Sequence, residues 1–203
     1  MELVRVGCAN LIRHIQNATK FGIPVVVALN KFSKDTQAEI ELVLKLSKEN
    51  GAYDAILCEN WEKGGEGSKA LAEAVVRASK EQSQFKFLYD LNLSIEDKIR
   101  TIAQQIYAAK DIELSELAKK RIELFDKQGF QNLPICMAKT QYSFSDKADL
   151  KGAPSGFILP ISDIRASIGA GFIYPLVGAV SVFIFGFTHY LSHTQKRINL
   201  MIN

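Results

Sequence analysis

Ile23-Pro-Val-Val-Val-Ala-Leu-Asn30 runs directly into Lys31-Phe-Ser-Lys-Asp-Thr36, and further on Tyr53-Asp-Ala-Ile-Leu-Cys58 leads into Asn60-Trp-Glu-Lys-Gly-Gly-Glu-Gly67. Aliphatic and β-branched residues without polar alternation, as in the first run, predict a strand buried on both faces, the pattern of a parallel sheet. The run stops at a polar loop that carries Phe32, where Asp35 or Thr36 is placed to cap a following helix. Residues 52–58 make a weaker second strand, and it also ends in a loop with an aromatic residue, Trp61. Ligands of open α/β sheets bind at the carboxyl ends of the strands. Phe32 and Trp61 both fall there, one strand apart, so two flat side chains can face each other across a slot.

The chain outward from this unit alternates helix and strand signals. Residues 7–21 carry apolar positions at helical spacing (Leu11, Ile12, Ile15, Ala18), with Gly22 as the stop and Pro24 beyond it. His14 lies among polar neighbours on that helix and reads as solvated. Residues 38–50 form an amphipathic helix with Ile40, Val43, Leu44 and Leu46 on its apolar side, ended by Gly51. Gly64, Gly65 and Gly67 precede a helix over residues 68–80, where glycine lets backbone N–H groups approach an anionic or planar ligand. Residues 85–90 read as a strand. Ser94 caps a helix over 94–109 with the stripe Ile95, Ile99, Ile102, Ala103 and Ile106, and Ser115 caps another that reaches Gln128 and stops at Gly129. Its mixed charges mark a solvated face. Residues 133–138 read as a short buried strand in which Cys136 is a small hydrophobe, since no His is placed to activate it. Residues 157–165 and 166–174 complete the pattern as a strand followed by a strand or turn.

The 203 residues are enough to bury a sizeable core, and 47% apolar with 23% charged residues is ordinary globular composition. A net charge of +3 is too small and too dispersed to argue for nucleic acid. Cys8, Cys58 and Cys136 show neither metal-ligand spacing nor even pairing, which favours a reducing compartment, and no metal site is expected. Asn30-Lys31-Phe32-Ser33 superficially matches the guanine-specificity motif of GTPases. That motif requires Asp where Ser33 stands, and no phosphate loop precedes it, so a GTPase is excluded.

Pro24-Val-Val-Val-Ala-Leu-Asn-Lys-Phe32 with Asp35-Thr36, and Trp61-Glu-Lys-Gly-Gly-Glu-Gly67, resemble formate–tetrahydrofolate ligase (10-formyltetrahydrofolate synthetase). Two more blocks agree with that family: Gln128-Gly-Phe-Gln-Asn-Leu-Pro-Ile-Cys-Met-Ala-Lys-Thr140, and Gly156-Phe-Ile-Leu-Pro-Ile-Ser-Asp-Ile-Arg-Ala-Ser-Ile-Gly-Ala-Gly-Phe-Ile-Tyr-Pro-Leu-Val-Gly178. The resemblance runs from about Val6 to Gly178 and is to the C-terminal part of the ligase region in animal C1-tetrahydrofolate synthases, the mitochondrial monofunctional type in particular. It implies a parallel Rossmann-like α/β layer followed by a smaller mixed α/β region, as a fragment of a larger P-loop-type ligase. The expected division is a folate-side domain over 1–90, a mixed region over 91–178 and a divergent hydrophobic tail over 179–203.

The resemblance further implies ATP-dependent joining of formate to tetrahydrofolate, with Mg as the nucleotide's metal, and a pterin ring sandwiched by Phe32 and Trp61 beside Gly64, Gly65 and Gly67. Stacking on both ring faces supplies roughly 1–3 kcal/mol beyond area burial. The phosphate loop and the catalytic residues are expected upstream of this chain, which is therefore expected to be inactive alone. The family's usual residues are replaced at Ser33, and over Gln141, Tyr142, Phe144 and Asp146, where a titratable His is lost. A second reading is a non-catalytic folate-binding or interaction module, as a homo-oligomer or paired with full-length subunits. The third is a membrane-tethered form, because residues 166–195 lack Asp, Glu, Lys and Arg. Gly169, Gly171 and Pro175 interrupt any helix there, so a membrane span is not expected. Location is mitochondrial by resemblance and cytoplasmic otherwise, since Met1-Glu-Leu-Val-Arg5 is no import signal.

Overall fold

The computed structural model describes residues 1–138 and 144–178. The expectations for Gln141, Tyr142 and the tail over 179–203 lie outside these residues. Helix α1 (Glu2–Thr19) leads into strand β1 (Val26–Asn30), helix α2 (Gln37–Glu49) and strand β2 (Asp54–Cys58). β1 and β2 pair in parallel, in register from Val26 opposite Asp54 to Asn30 opposite Cys58. A short helix α3 (Asn60–Lys63) and a 3-10 turn over Gly64–Ser68 follow, and then α4 (Lys69–Ser79). The second part holds α5 (Ile95–Gln105), β3 (Asp111–Leu114), α6 (Glu116–Lys127), β4 (Ile158–Ser167) and β5 (Phe172–Val177). β3 pairs with β4 in parallel and β4 with β5 antiparallel. The architecture is mixed α/β, with one parallel and one mixed sheet.

Local chemistry explains the helix starts. Thr36 caps α2 in a reciprocal box, its hydroxyl accepting from the Glu39 N–H while the Glu39 carboxylate accepts from the Thr36 N–H. The Ser94 and Ser115 hydroxyls accept from the N–H groups of Asp97 and Ala118 at 3.0 Å. Ser115 also donates across to the Ser162 carbonyl of β4 at 2.7 Å, so the same hydroxyl fixes α6 to the sheet.

The main core lies in the second part. Ile95, Ile99 and Ala103 on α5 meet Leu159, Ile161 and Ile164 on β4 and Ile173 on β5, all essentially inaccessible. Phe144 joins them, with Tyr107 edge-on at 6.3 Å, the His14 ring at 4.8 Å and the Arg13 guanidinium over its face. His14 is thus exposed but stacked, not simply solvated. Lys98 is wholly buried and survives there because its ammonium donates to the Gln131 and Leu133 carbonyls. The two parts are joined where the Asn17 amide donates to the Ile106 carbonyl at 2.8 Å and the Lys20 ammonium to that of Gln105.

Several expectations need correction. β1 is only half-buried, with Ala28 and Asn30 exposed, because it pairs with β2 alone among the described residues. On α2, Leu42 is buried in addition to Ile40 and Leu46, since it faces Cys8 of α1 while Ile40 lies on another side. Residues 85–90 are not a strand. Their backbone bonds instead to the turn after α1, with Gln84 N–H to Gly22 O at 3.2 Å and Lys86 N–H to Phe21 O at 3.1 Å. Gly22 is required there, since a Cβ would stand 1.9 Å from the Gln84 carbonyl oxygen. Residues 133–138 make only single bridges, Ile135 to Ile173 and Ala138 to Leu176, and Pro134 has no N–H to extend a ladder. Cys136 is exposed on that segment, not buried. β3 was not foreseen. It is four residues long, half acidic and recognisable only through its pairing with β4.

Candidate functional site

The carboxyl ends of β1 and β2 hold a slot of about 320 Å³ lined by Lys31, Phe32, Ser33, Trp61 and Glu62. The structure thus brings together Phe32 and Trp61, the two aromatic residues singled out from the sequence. Neither is a core residue. Phe32 is 72% exposed and Trp61 95%. Large apolar rings this open at the mouth of a sheet are costly to leave in water unless something stacks on them.

Each ring sits on a braced loop. The Phe32 N–H donates to the Asp35 carboxylate at 2.8 Å, and the Asp35 N–H returns to the Phe32 carbonyl at 3.1 Å. That tight turn hands the chain to the Thr36 cap. On the other side α3 carries Trp61, and the Gly64–Ser68 turn folds back so that the Glu59 N–H donates to the Gly67 carbonyl at 3.1 Å. Gly64, Gly65 and Gly67 therefore do not line the slot but shape the loop that presents Trp61. Gly67 must lack a side chain, because a Cβ would lie 2.4 Å from the Glu59 carbonyl oxygen. Gly64 adopts φ +57°, ψ −141°, which glycine alone visits readily.

Glu59 is the site residue that sequence reasoning missed. It stands one residue past the last β1–β2 pair, opposite Lys31, and its carboxylate meets the Lys31 ammonium at 2.8 Å and the Lys63 ammonium at 2.7 Å. Hydrogen bonds first from Lys31 and then from Lys63 hold its carboxyl at about 2, far below the usual carboxylate range. The Glu59 carboxylate in turn raises the Lys31 ammonium above its ordinary value. The available signal was the equal offset of Lys31 and Glu59 from the two strand ends, with Lys63 one helical turn beyond Glu59.

The charges say what the slot suits. Both ammonium groups beside it are engaged by Glu59. Among the described residues no three His, Cys, Asp or Glu side chains converge as a metal site. What remains is a pair of flat apolar faces with polar edges, suited to a planar ring carrying hydrogen-bonding groups. A larger and more apolar cavity of 560 Å³ lies between α1, α5 and the 85–89 segment. It is away from the strand ends, and its one buried polar atom without a partner is the Asn17 amide oxygen.

The chain is thus a two-sheet α/β protein with an aromatic slot at its parallel strand ends. The sequence model described as formate–tetrahydrofolate ligase matches residues 1–193, and the chain belongs to that family. The match continues past Gly178, where the resemblance read from the blocks ended. Among its relatives are the cytoplasmic C-1-tetrahydrofolate synthase of Mus musculus, 59% identical, and the mitochondrial monofunctional C1-tetrahydrofolate synthase of Bos taurus, 60% identical, each over 89% of this chain. The cytoplasmic C-1-tetrahydrofolate synthase of Schizosaccharomyces pombe is 53% identical over the same share. The chain spans only 19% of each of these three relatives. No helix among the described residues is long and apolar enough to cross a membrane.

Proposed function

We propose that this chain supplies the folate side of an ATP-dependent ligase that joins formate to tetrahydrofolate, giving 10-formyltetrahydrofolate. Phe32 and Trp61 take the two faces of the pterin ring, and residues 1–90 form the folate-side domain, with 91–178 as a mixed region of the same ligase. The observation that carries this is the pairing of two exposed aromatic side chains on one slot at the carboxyl ends of β1 and β2. ATP, formate and Mg are held by sequence outside this chain, which has no G-x-x-x-x-G-K-[ST] phosphate loop. Location in mitochondria or cytoplasm follows whichever relative's setting the chain shares.

By itself the chain then binds folate without turnover, as a binding or subunit-pairing module. Trp61 is its single tryptophan, so titration with folic acid reads the slot directly. Quenching in the wild type that is lost in Phe32→Ala supports the reading, and no quenching in the wild type refutes it. In a formylation assay with formate, ATP, Mg and tetrahydrofolate, the purified chain stays silent. Turnover on the order of 1 s⁻¹, ordinary for an enzyme, would show that the phosphate-handling residues are present after all.

A further inference from the structure

We propose that Glu59 is a positioning residue that clamps the two aromatic loops at a fixed separation and so pre-forms the slot, an inference that rests on the pterin reading above. Three bonds converge on it from separate pieces of chain. Its carboxylate takes the Lys31 ammonium at 2.8 Å, on the loop that continues into Phe32. The other oxygen takes the Lys63 ammonium at 2.7 Å, two residues after Trp61 on α3. Its own N–H donates to the Gly67 carbonyl at 3.1 Å, closing the turn beneath α3.

No other side chain among the described residues is bonded to both loops. The Phe32 loop is otherwise braced within itself, through Asp35, and its backbone joins the second strand where the Lys31 N–H donates to the Cys58 carbonyl at 3.1 Å. That ladder bond fixes the backbone at the strand end and the Thr36 box fixes the start of α2, so between the two loops themselves the Glu59 bridge is the side-chain tie. Neither ring has burial to hold it, so the separation of the two faces depends on the charged bridge. A planar ligand needs that separation set to about the thickness of one ring. A slot pre-set to it avoids ordering the loops at the moment of binding.

Glu59→Gln keeps the shape and removes the charge, and Glu59→Asp keeps the charge but is too short to span both ammonium groups. Time-resolved anisotropy of Trp61 in the ligand-free chain reads the clamp, and folic acid titration reads its consequence. In Glu59→Gln the fast local rotation of Trp61 gains amplitude. Its affinity for folic acid falls about tenfold, the loss expected when the competent arrangement drops to about a tenth of the population. The melting temperature stays within about 2 °C, as for an ion pair open to water on its lysine side. Glu59→Asp falls between the two. Salt at about 1 M, where screening reaches about 3 Å, weakens the wild type but not Glu59→Gln. Unchanged Trp61 anisotropy in Glu59→Gln overturns the clamp. So does unchanged affinity in Glu59→Gln when Phe32→Ala abolishes binding. A wild type that ignores folic acid refutes the pterin reading instead, and the anisotropy comparison, made without ligand, still decides the clamp.

Discussion

Three glycines within four residues give a graded test of the loop that presents Trp61. Alanine at position 67 places its Cβ 2.4 Å from the Glu59 carbonyl oxygen, 2.5 Å from its carbon and 2.9 Å from the Asn60 nitrogen. These are backbone atoms at the end of β2 and cannot rotate aside, so the turn must open. Overpacking of this kind costs about 1–3 kcal/mol, and loss of the Glu59 N–H to Gly67 bond adds about 1. We expect Gly67→Ala to lose about 2–4 kcal/mol, a fall of roughly 5–10 °C in melting temperature for a chain of this size. At position 64 a Cβ meets nothing, but φ is +57°, so Gly64→Ala costs about 1–3 kcal/mol from backbone strain alone. At position 65 there is neither contact nor positive φ, and Gly65→Ala stays within about 0.5 kcal/mol. Urea unfolding followed by circular dichroism measures all three, with Trp61 emission as a local reporter. Equal effects at 65 and 67 would refute the argument that Gly67 is required by close backbone approach.

The remaining expectations concern the second part of the chain. Burial pushes the Tyr107 phenol up to about 12 from 10.0, so above pH 10 the unfolded chain releases a proton that the folded chain keeps. Stability is then full below pH 10 and falls by about 3 kcal/mol between pH 10 and 12; Tyr107→Phe flattens that part of the pH dependence, and an unchanged slope counts against it. Ser115→Ala removes both a helix cap and the part-buried bond to Ser162, for a loss of about 1–3 kcal/mol, and should cost more than Ser94→Ala, which removes a cap and an exposed bond to the Asp97 carboxylate; urea midpoints decide the order. Phe144→Ala leaves a ring-sized void beside Tyr107 and costs about 3–5 kcal/mol, whereas Phe32→Ala, at an exposed ring, stays within about 0.5 kcal/mol by the same measurement.

What could be read from the residues was what depends on neighbours in sequence. The stripe from Ile95 to Ile106 and the caps Thr36, Ser94 and Ser115 are local signals, and each is realised. Phe32 and Trp61 could be placed together because strand ends in a parallel sheet are brought into line by the fold class itself. Glu59 escaped notice because its meaning depends on register: only pairing Asn30 with Cys58 sets it against Lys31. β3 has no apolar run of its own and exists by virtue of β4. Residues 85–90 carry strand-like composition, but the backbone N–H groups of Gln84 and Lys86 pair with Gly22 and Phe21, a pairing no periodicity encodes. Cys136 follows Pro134 on a segment with only isolated bridges, so composition alone overstated its burial.

The half-buried state of β1 reaches beyond the sheet. Among the described residues its outer N–H and C=O groups face no strand, and its valines and leucine offer no lysine, proline or bulge to discourage one. An unpaired strand edge of this kind has the backbone geometry for strand addition. Phe32 lies two residues beyond the end of that strand, so whatever stiffens the edge also stiffens one wall of the slot.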